Sequence, residues 1–202
     1  RLRSADAARA DRLAEPMGGL RDWDYVSAIE SWETTLFVLW AERFSRLRNP
    51  QRDERWARVR ALEAVLDALE ADWGTWRVAW GELNRLQRPD ASGQVSFDDA
   101  APSLPVAGAP GWLGSVFTFS PAQETGQRRR YGVHGNSFVK VIEFGPQIRA
   151  RSILTFGQSG DPDSPHYFDQ APLYSREQFK PSWFGREEIS ASAEKVYSPG
   201  SE

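Results

Sequence analysis

Residues 157–170 read GQSGDPDSPHYFDQ, and residues 171–189 continue as APLYSREQFKPSWFGREEI. Gly157, Gly160, Pro162 and Pro165 break any regular element within these fourteen residues, and Asp161, Asp163 and Asp169 favour turns. The stretch therefore reads as an ordered loop that joins a strand to whatever follows Ala171.

Immediately before this loop the hydrophobic period is two. Residues 137–144 (SFVKVIEF) alternate, Gly145-Pro146 supplies a turn, and residues 148–156 (IRARSILTF) follow, which predicts a strand-turn-strand pair. Residues 112–119 alternate or run apolar and predict a further strand. Residues 187–195 predict a short terminal helix, and 198–202 a frayed tail.

Farther back the period changes. Over residues 24–47, Ile29, Trp32, Leu36, Leu39, Trp40, Phe44 and Leu47 recur at three and four, the stripe of an amphipathic helix ended by Asn49-Pro50. Pro50 suits the first turn of a second helix carrying Trp56, Val59, Leu62, Val65, Leu66 and Leu69, which Gly74 stops. Together they predict an antiparallel helical hairpin over 24–73. Residues 1–21 have a weaker pattern (Leu2, Leu13, Met17, Leu20) and read as an incomplete helix lacking its packing partner. Residues 88–111 carry four prolines and three glycines and read as a long connection. The expected division is a helical segment, 1–88, followed by a loop-and-strand portion, 89–202.

Composition bounds the function. With 40% hydrophobic and 26% charged residues the chain is of ordinary globular make-up and can bury a core. A net charge of −3 exerts no long-range pull on nucleic acid or an anionic membrane, and no apolar run is long enough to span a bilayer, so a soluble protein is expected. Zero cysteines exclude disulfides, thiol nucleophiles and thiolate metal sites. The first residue is Arg1 with no basic and apolar leader, so a secretion signal was either removed or never part of this segment.

Each candidate for chemistry has a structural competitor. His134 and His166, the two imidazoles, would need Asp161, Asp163 or Asp169 to complete a metal site, in a spacing that matches no closed site; hydrogen-bonded loop histidines are the plainer expectation. Asp161 and Asp163 suit turn capping better than a calcium loop. The run from Arg128 to Arg130 reads as a solvated hairpin edge rather than a nucleic-acid contact. Gly108, Gly111 and Gly114 neither follow a clear strand nor open a helix, unlike a dinucleotide fingerprint. Ser164, His166 and Asp169 make a triad only on paper, being too close together on one loop to align.

The 157–170 stretch, the Leu-Tyr and aromatic-Lys-Pro steps after it and the short acidic helix resemble the end of the large subunit of penicillin acylase-type N-terminal-nucleophile amidases. That family includes penicillin, cephalosporin and acyl-homoserine-lactone acylases. Residues 80–88 (WGELNRLQR), 104–112 (LPVAGAPGW) and 131–144 (YGVHGNSFVKVIEF) resemble the same family in order. The resemblance implies an α+β fold: part of an αββα sandwich, with an N-terminal helical hairpin, antiparallel strands and a short C-terminal helix. It implies a fragment of an amide hydrolase of periplasmic or secreted location, not catalytic on its own, whose partners are the upstream part of the large subunit and the small subunit. The substrate would be a small acyl amide. No cofactor is implied; calcium, bound by some relatives, would not be held by this segment.

By the same resemblance the nucleophile is a serine that begins the large subunit, well before Arg1, and the asparagine of the oxyanion hole also lies upstream, so Asn136 is no substitute. One residue of this chain takes a catalytic expectation: Glu143, similar in motif order to a glutamate that orients a histidine beside the serine in cephalosporin acylases. The alternatives are a surface salt bridge for Glu143 and, for the whole chain, a binding or structural module retaining the scaffold without its nucleophile. The tryptophan-rich hairpin is expected to expose apolar surface that the remainder of an acylase would cover.

Overall fold

The computed structural model describes residues 7–47, 54–88, 96–198 and 200. The described chain is α+β, and its contacts divide it into two compact units, Arg1–Asn136 and Ser137–Glu202. The division expected after Arg88 falls within the first unit, because strand residues on both sides of it share one sheet.

The first unit opens with three helices, α1 (Ala7–Asp22), α2 (Trp32–Leu47) and α3 (Glu54–Trp73). The last two form the expected pair. Phe44 near the end of α2 lies under the Arg58 guanidinium near the start of α3, and Trp32 at the start of α2 meets Trp76 just past the end of α3, so the helices run antiparallel; midway, Trp40 donates its indole N–H to the Arg58 carbonyl. Leu36, Leu62, Val65, Leu66 and Leu69 form a buried stripe, against which Trp32, Trp40, Trp73 and Trp76 pack. Gly74 ends α3 in the left-handed region at φ 73° while its N–H bonds the Glu70 carbonyl, a C-terminal cap that suits glycine. Asn49-Pro50, Leu2 and the segment 201–202 lie outside the described residues.

Two helical expectations need correction. α2 starts at Trp32 rather than near Asp24: the Asp24 carboxylate accepts the Val26 N–H in a local turn, and the Ser31 hydroxyl accepts the Thr34 N–H as the helix cap. The first helix, in turn, spans Ala7–Asp22 among the described residues and has its partner within the chain. Leu13 is buried in the same core as Leu62 and Leu66, and Arg9 pairs with Glu63 while Arg12 reaches Asp67 and Glu70 of α3 at 2.6 and 2.9 Å. The tryptophans of α2 and α3 accordingly pack largely within the unit, Trp56 being the half-exposed exception.

Beyond Gly74 a short helix, α4 (Trp80–Leu83), leads into β1 (Asn84–Leu86). With β2 (Leu104–Pro105), β3 (Phe119–Ala122) and β4 (Arg130–Gly135) it forms a sheet of order β2-β1-β4-β3. β1 runs antiparallel to β2 and parallel to β4, with Asn84 opposite Arg130. The strand expected at 112–119 is instead a 3-10 turn, Gly111–Leu113, followed by the left-handed Gly114; an isolated bridge joins Thr118 to Ala109, and the strand itself begins at Phe119.

Two of the matched stretches clasp each other here. Fully buried Trp80 donates its indole N–H to the Gly108 carbonyl at 2.7 Å, Asn84 donates to Val106 O at 2.7 Å, and the Arg85 guanidinium bonds Ser103 and Gly81 O. Such buried donors are costly to leave unmade, so each fixes the facing loop.

In the second unit β5 (Phe138–Glu143) and β6 (Arg149–Leu154) form the expected hairpin, and β7 (Lys180–Pro181) extends it to a three-stranded antiparallel sheet. β5 is the edge. α5 (Ala171–Ser175) and α6 (Arg186–Ser192) complete the unit, the second close to the expected terminal helix. Phe138, Val141, Ile142, Phe144, Trp183 and Phe184 are exposed, so apolar surface is concentrated in this unit rather than on the helices.

Candidate functional site

The loop after β6 is closed on itself. Gln170, buried at its far end, accepts the Leu154 N–H with its side-chain oxygen and donates its own N–H to the Phe156 carbonyl at 2.8 Å. Both ends are thereby fastened to the same strand, in the manner of a compact Ω-loop. Asp161 acts as the expected turn cap, its carboxylate accepting the Asp163 N–H at 3.0 Å.

His166 is the centre of this loop. Its Nδ1 lies 2.9 Å from the Asp169 carboxylate and its Nε2 2.9 Å from that of Glu194, on the segment after α6. Both nitrogens face groups that only accept, so the arrangement calls for the doubly protonated ring. The contact with Asp169, then that with Glu194, raises the imidazole above its ordinary range. Ser164 does not join them in a triad: its hydroxyl accepts the backbone N–H of His166 at 3.2 Å, and Nε2 is committed to Glu194. The loop-histidine expectation holds for His166, with a second carboxylate from residue 194 that local spacing could not reveal.

Gly157 makes the packing possible. A Cβ there would stand 2.1 Å from the His166 carbonyl oxygen and 2.7 Å from the Asp169 carboxylate, distances no side chain tolerates.

Glu143 is exposed at the end of the edge strand β5, with Arg149 of β6 as its register partner. The alternation expected along β5 places Val141 on its face. His134 is exposed on β4, and Asn136 donates its side-chain amide to Val116 O. Gly108 and Gly111 belong to the clasped loop and the 3-10 turn rather than to a phosphate cradle. Among the described residues no group of three or more His, Asp or Glu side chains is placed to hold a metal, and no helix is long and apolar enough to cross a membrane.

The solvated reading of the basic run holds for Arg128, which is exposed, and needs correction at Arg130. Arg130 is buried on β4 and places Nη2 at 3.0 and 2.9 Å from the two carboxylate oxygens of Glu42 on α2, 88 residues away. Its Nε and Nη1 are sealed from solvent and reach no acceptor among the described residues. Arg128 stacks its guanidinium 4.4 Å over the Trp73 ring, and Arg129 bonds the Asp99 carbonyl. A cleft of about 710 Å³ opens beside them, walled by Leu39, Val65 and Trp73 and edged by Glu42, Arg128 and Arg130. The buried Tyr131 beside Arg130 stacks on Phe97 and bonds Asp99; burial first, then that carboxylate, pushes its phenol up to about 12. These contacts pin the connection 96–103 to the sheet.

Comparison with known proteins agrees with these motifs. The penicillin amidase family model matches residues 2–191, and the chain belongs to that family. Aculeacin-A acylase of Actinoplanes utahensis is 36% identical over 44% of this chain and 11% of the relative. The acyl-homoserine lactone acylase PvdQ of Pseudomonas fluorescens is 29% identical over 66% of this chain and 16% of the relative, and that of Pseudomonas savastanoi pv. phaseolicola 32% identical over 55% and 13%. The chain thus spans only a small part of the length of the curated relatives it matches.

Proposed function

We propose that this chain is the C-terminal part of the large subunit of an N-terminal-nucleophile acylase that hydrolyses the linear amide between an acyl chain and an amine. The observation that carries this is the family match across nearly all of the chain, combined with its coverage of 11% to 16% of relatives that are themselves acylases. In this proposal the serine, its α-amine base and the oxyanion donors are supplied upstream, and an acyl-enzyme forms there and is released by water. The segment supplies scaffold: a helical layer, the clasped loops around Trp80 and Asn84, and a hairpin whose edge awaits the remainder of the subunit. Glu143 is its positioning residue, its carboxylate at the exposed end of β5 accepting from an imidazole of the upstream part. The location is periplasmic or secreted, and the reaction needs no cofactor.

The test compares the complete gene product with the 202-residue chain on a chromogenic acyl amide. Turnover is expected from the complete, self-cleaved protein alone. Serine-dependent turnover by the isolated chain overturns the division of labour, and inactivity of a complete, processed protein against a panel of acyl amides overturns the acylase proposal in favour of a binding module.

A further inference from the structure

We propose that His166 is a proton-operated latch that fastens the segment around Glu194 to the loop 157–170, closed while the imidazole carries both its protons and released when it loses one. The geometry carries the inference. Two carboxylates stand 2.9 Å from the two ring nitrogens, and an ionised carboxylate can only accept. A neutral imidazole has one N–H, so deprotonation turns one of the two hydrogen bonds into a lone pair facing a negative oxygen.

Which contact yields follows from how each acid is held. Asp169 is three residues from His166, within a loop whose ends are tied to β6 by Gln170, and its carboxylate packs over Gly157. Glu194 is 28 residues away and 77% exposed, past the end of α6. The neutral ring therefore keeps its Nδ1 proton on Asp169 and lets Glu194 go. Other charges nearby are engaged elsewhere: Asp161 caps the turn at Asp163, Glu188 accepts the Gly185 N–H, and Lys195 sits 5.6 Å over the Tyr197 ring. Because the folded imidazole titrates above its ordinary value, the fastening is complete below the unfolded value of about 6.5 and is lost as pH rises through the folded one. Glu194 lies beyond residue 191, where the family match ends, so the latch joins a family motif to a segment outside it.

Trypsin cleavage after Lys195 reports the release in the complete protein, with rates at each pH divided by those of a matched free peptide. The normalised rate should rise about two- to fivefold across the His166 titration, the range of a solvent-exposed ion pair. In Glu194→Ala the cleavage should be fast and independent of pH, and the His166 ring resonance should titrate at lower pH. A wild-type rate with no step, or an equal step in Glu194→Ala, overturns the latch. Neither result bears on amide hydrolysis, so the latch and the proposed function stand or fall separately.

Discussion

Truncating Glu42 to alanine should destabilise the first unit far more than its position on a helix surface suggests. The guanidinium of Arg130 is sealed in the protein and already leaves Nε and Nη1 without acceptors, so its charge rests on the two Glu42 oxygens. Breaking a buried pair from one side costs about 3–5 kcal/mol, since the remaining ion is stranded. The Glu42 side chain is 18% exposed and borders the cleft, which admits some water, so the lower end, about 3 kcal/mol, is expected. Replacing both partners, as Glu42→Leu with Arg130→Met, removes the ion together with its acceptor and should fall within about 1 kcal/mol of wild type. Urea unfolding followed by tryptophan fluorescence measures each variant, and the cycle completed with Glu42→Leu and Arg130→Met alone should give a coupling of at least about 2 kcal/mol. If Glu42→Ala costs under about 0.5 kcal/mol, as an ordinary surface change does, the burial argument for Arg130 is wrong.

Two further outcomes bear on the second unit. Gly157→Ala should cost about 1–3 kcal/mol by forcing a methyl against the His166 carbonyl and the Asp169 carboxylate, and an unchanged melting temperature would show that the loop can shift. In the complete enzyme Glu143→Gln should lower kcat with KM nearly constant, because orientation of an imidazole changes more than substrate binding; kcat equal to wild type in a correctly processed variant returns Glu143 to the strand surface.

Elements were legible where their signals were local. The β5–β6 hairpin follows from unbroken alternation around Gly145-Pro146, the end of α3 from Gly74, and the loop 157–170 from its breakers. What escaped depended on residues distant in sequence. α1 looked unpartnered because Arg9 and Arg12 find their acids on α3, more than fifty positions later, although the spacing of Glu63, Asp67 and Glu70 along one helix face was a usable signal. The true start of α2 depends on Trp80 and Gly81, whose N–H groups take the carbonyls of Ser31 and Ile29 and hold that turn outside the helix. Arg130 read as solvated because nothing nearby announces Glu42. The same limit governs the candidate site: Glu143 could be placed on its strand, but a positioning role depends on a partner that no local pattern names, and the second acid on His166 comes from 28 residues away.

The parallel pairing of β1 with β4 also dictates an order of events as the chain is made. α1 to α3 and β1 leave the ribosome before the strand that completes them, and loop closure over such separations is slow compared with helix formation. Until Arg130 emerges, Glu42 lacks this cation and β1 lacks its parallel neighbour, although the loops that accept the Gln87 and Trp80 donors, at Asp98 and Gly108, are already made. A nascent chain halted before residue 130 therefore holds a formed helical layer with an open strand edge and an unneutralised acid, the state in which this unit most needs a chaperone.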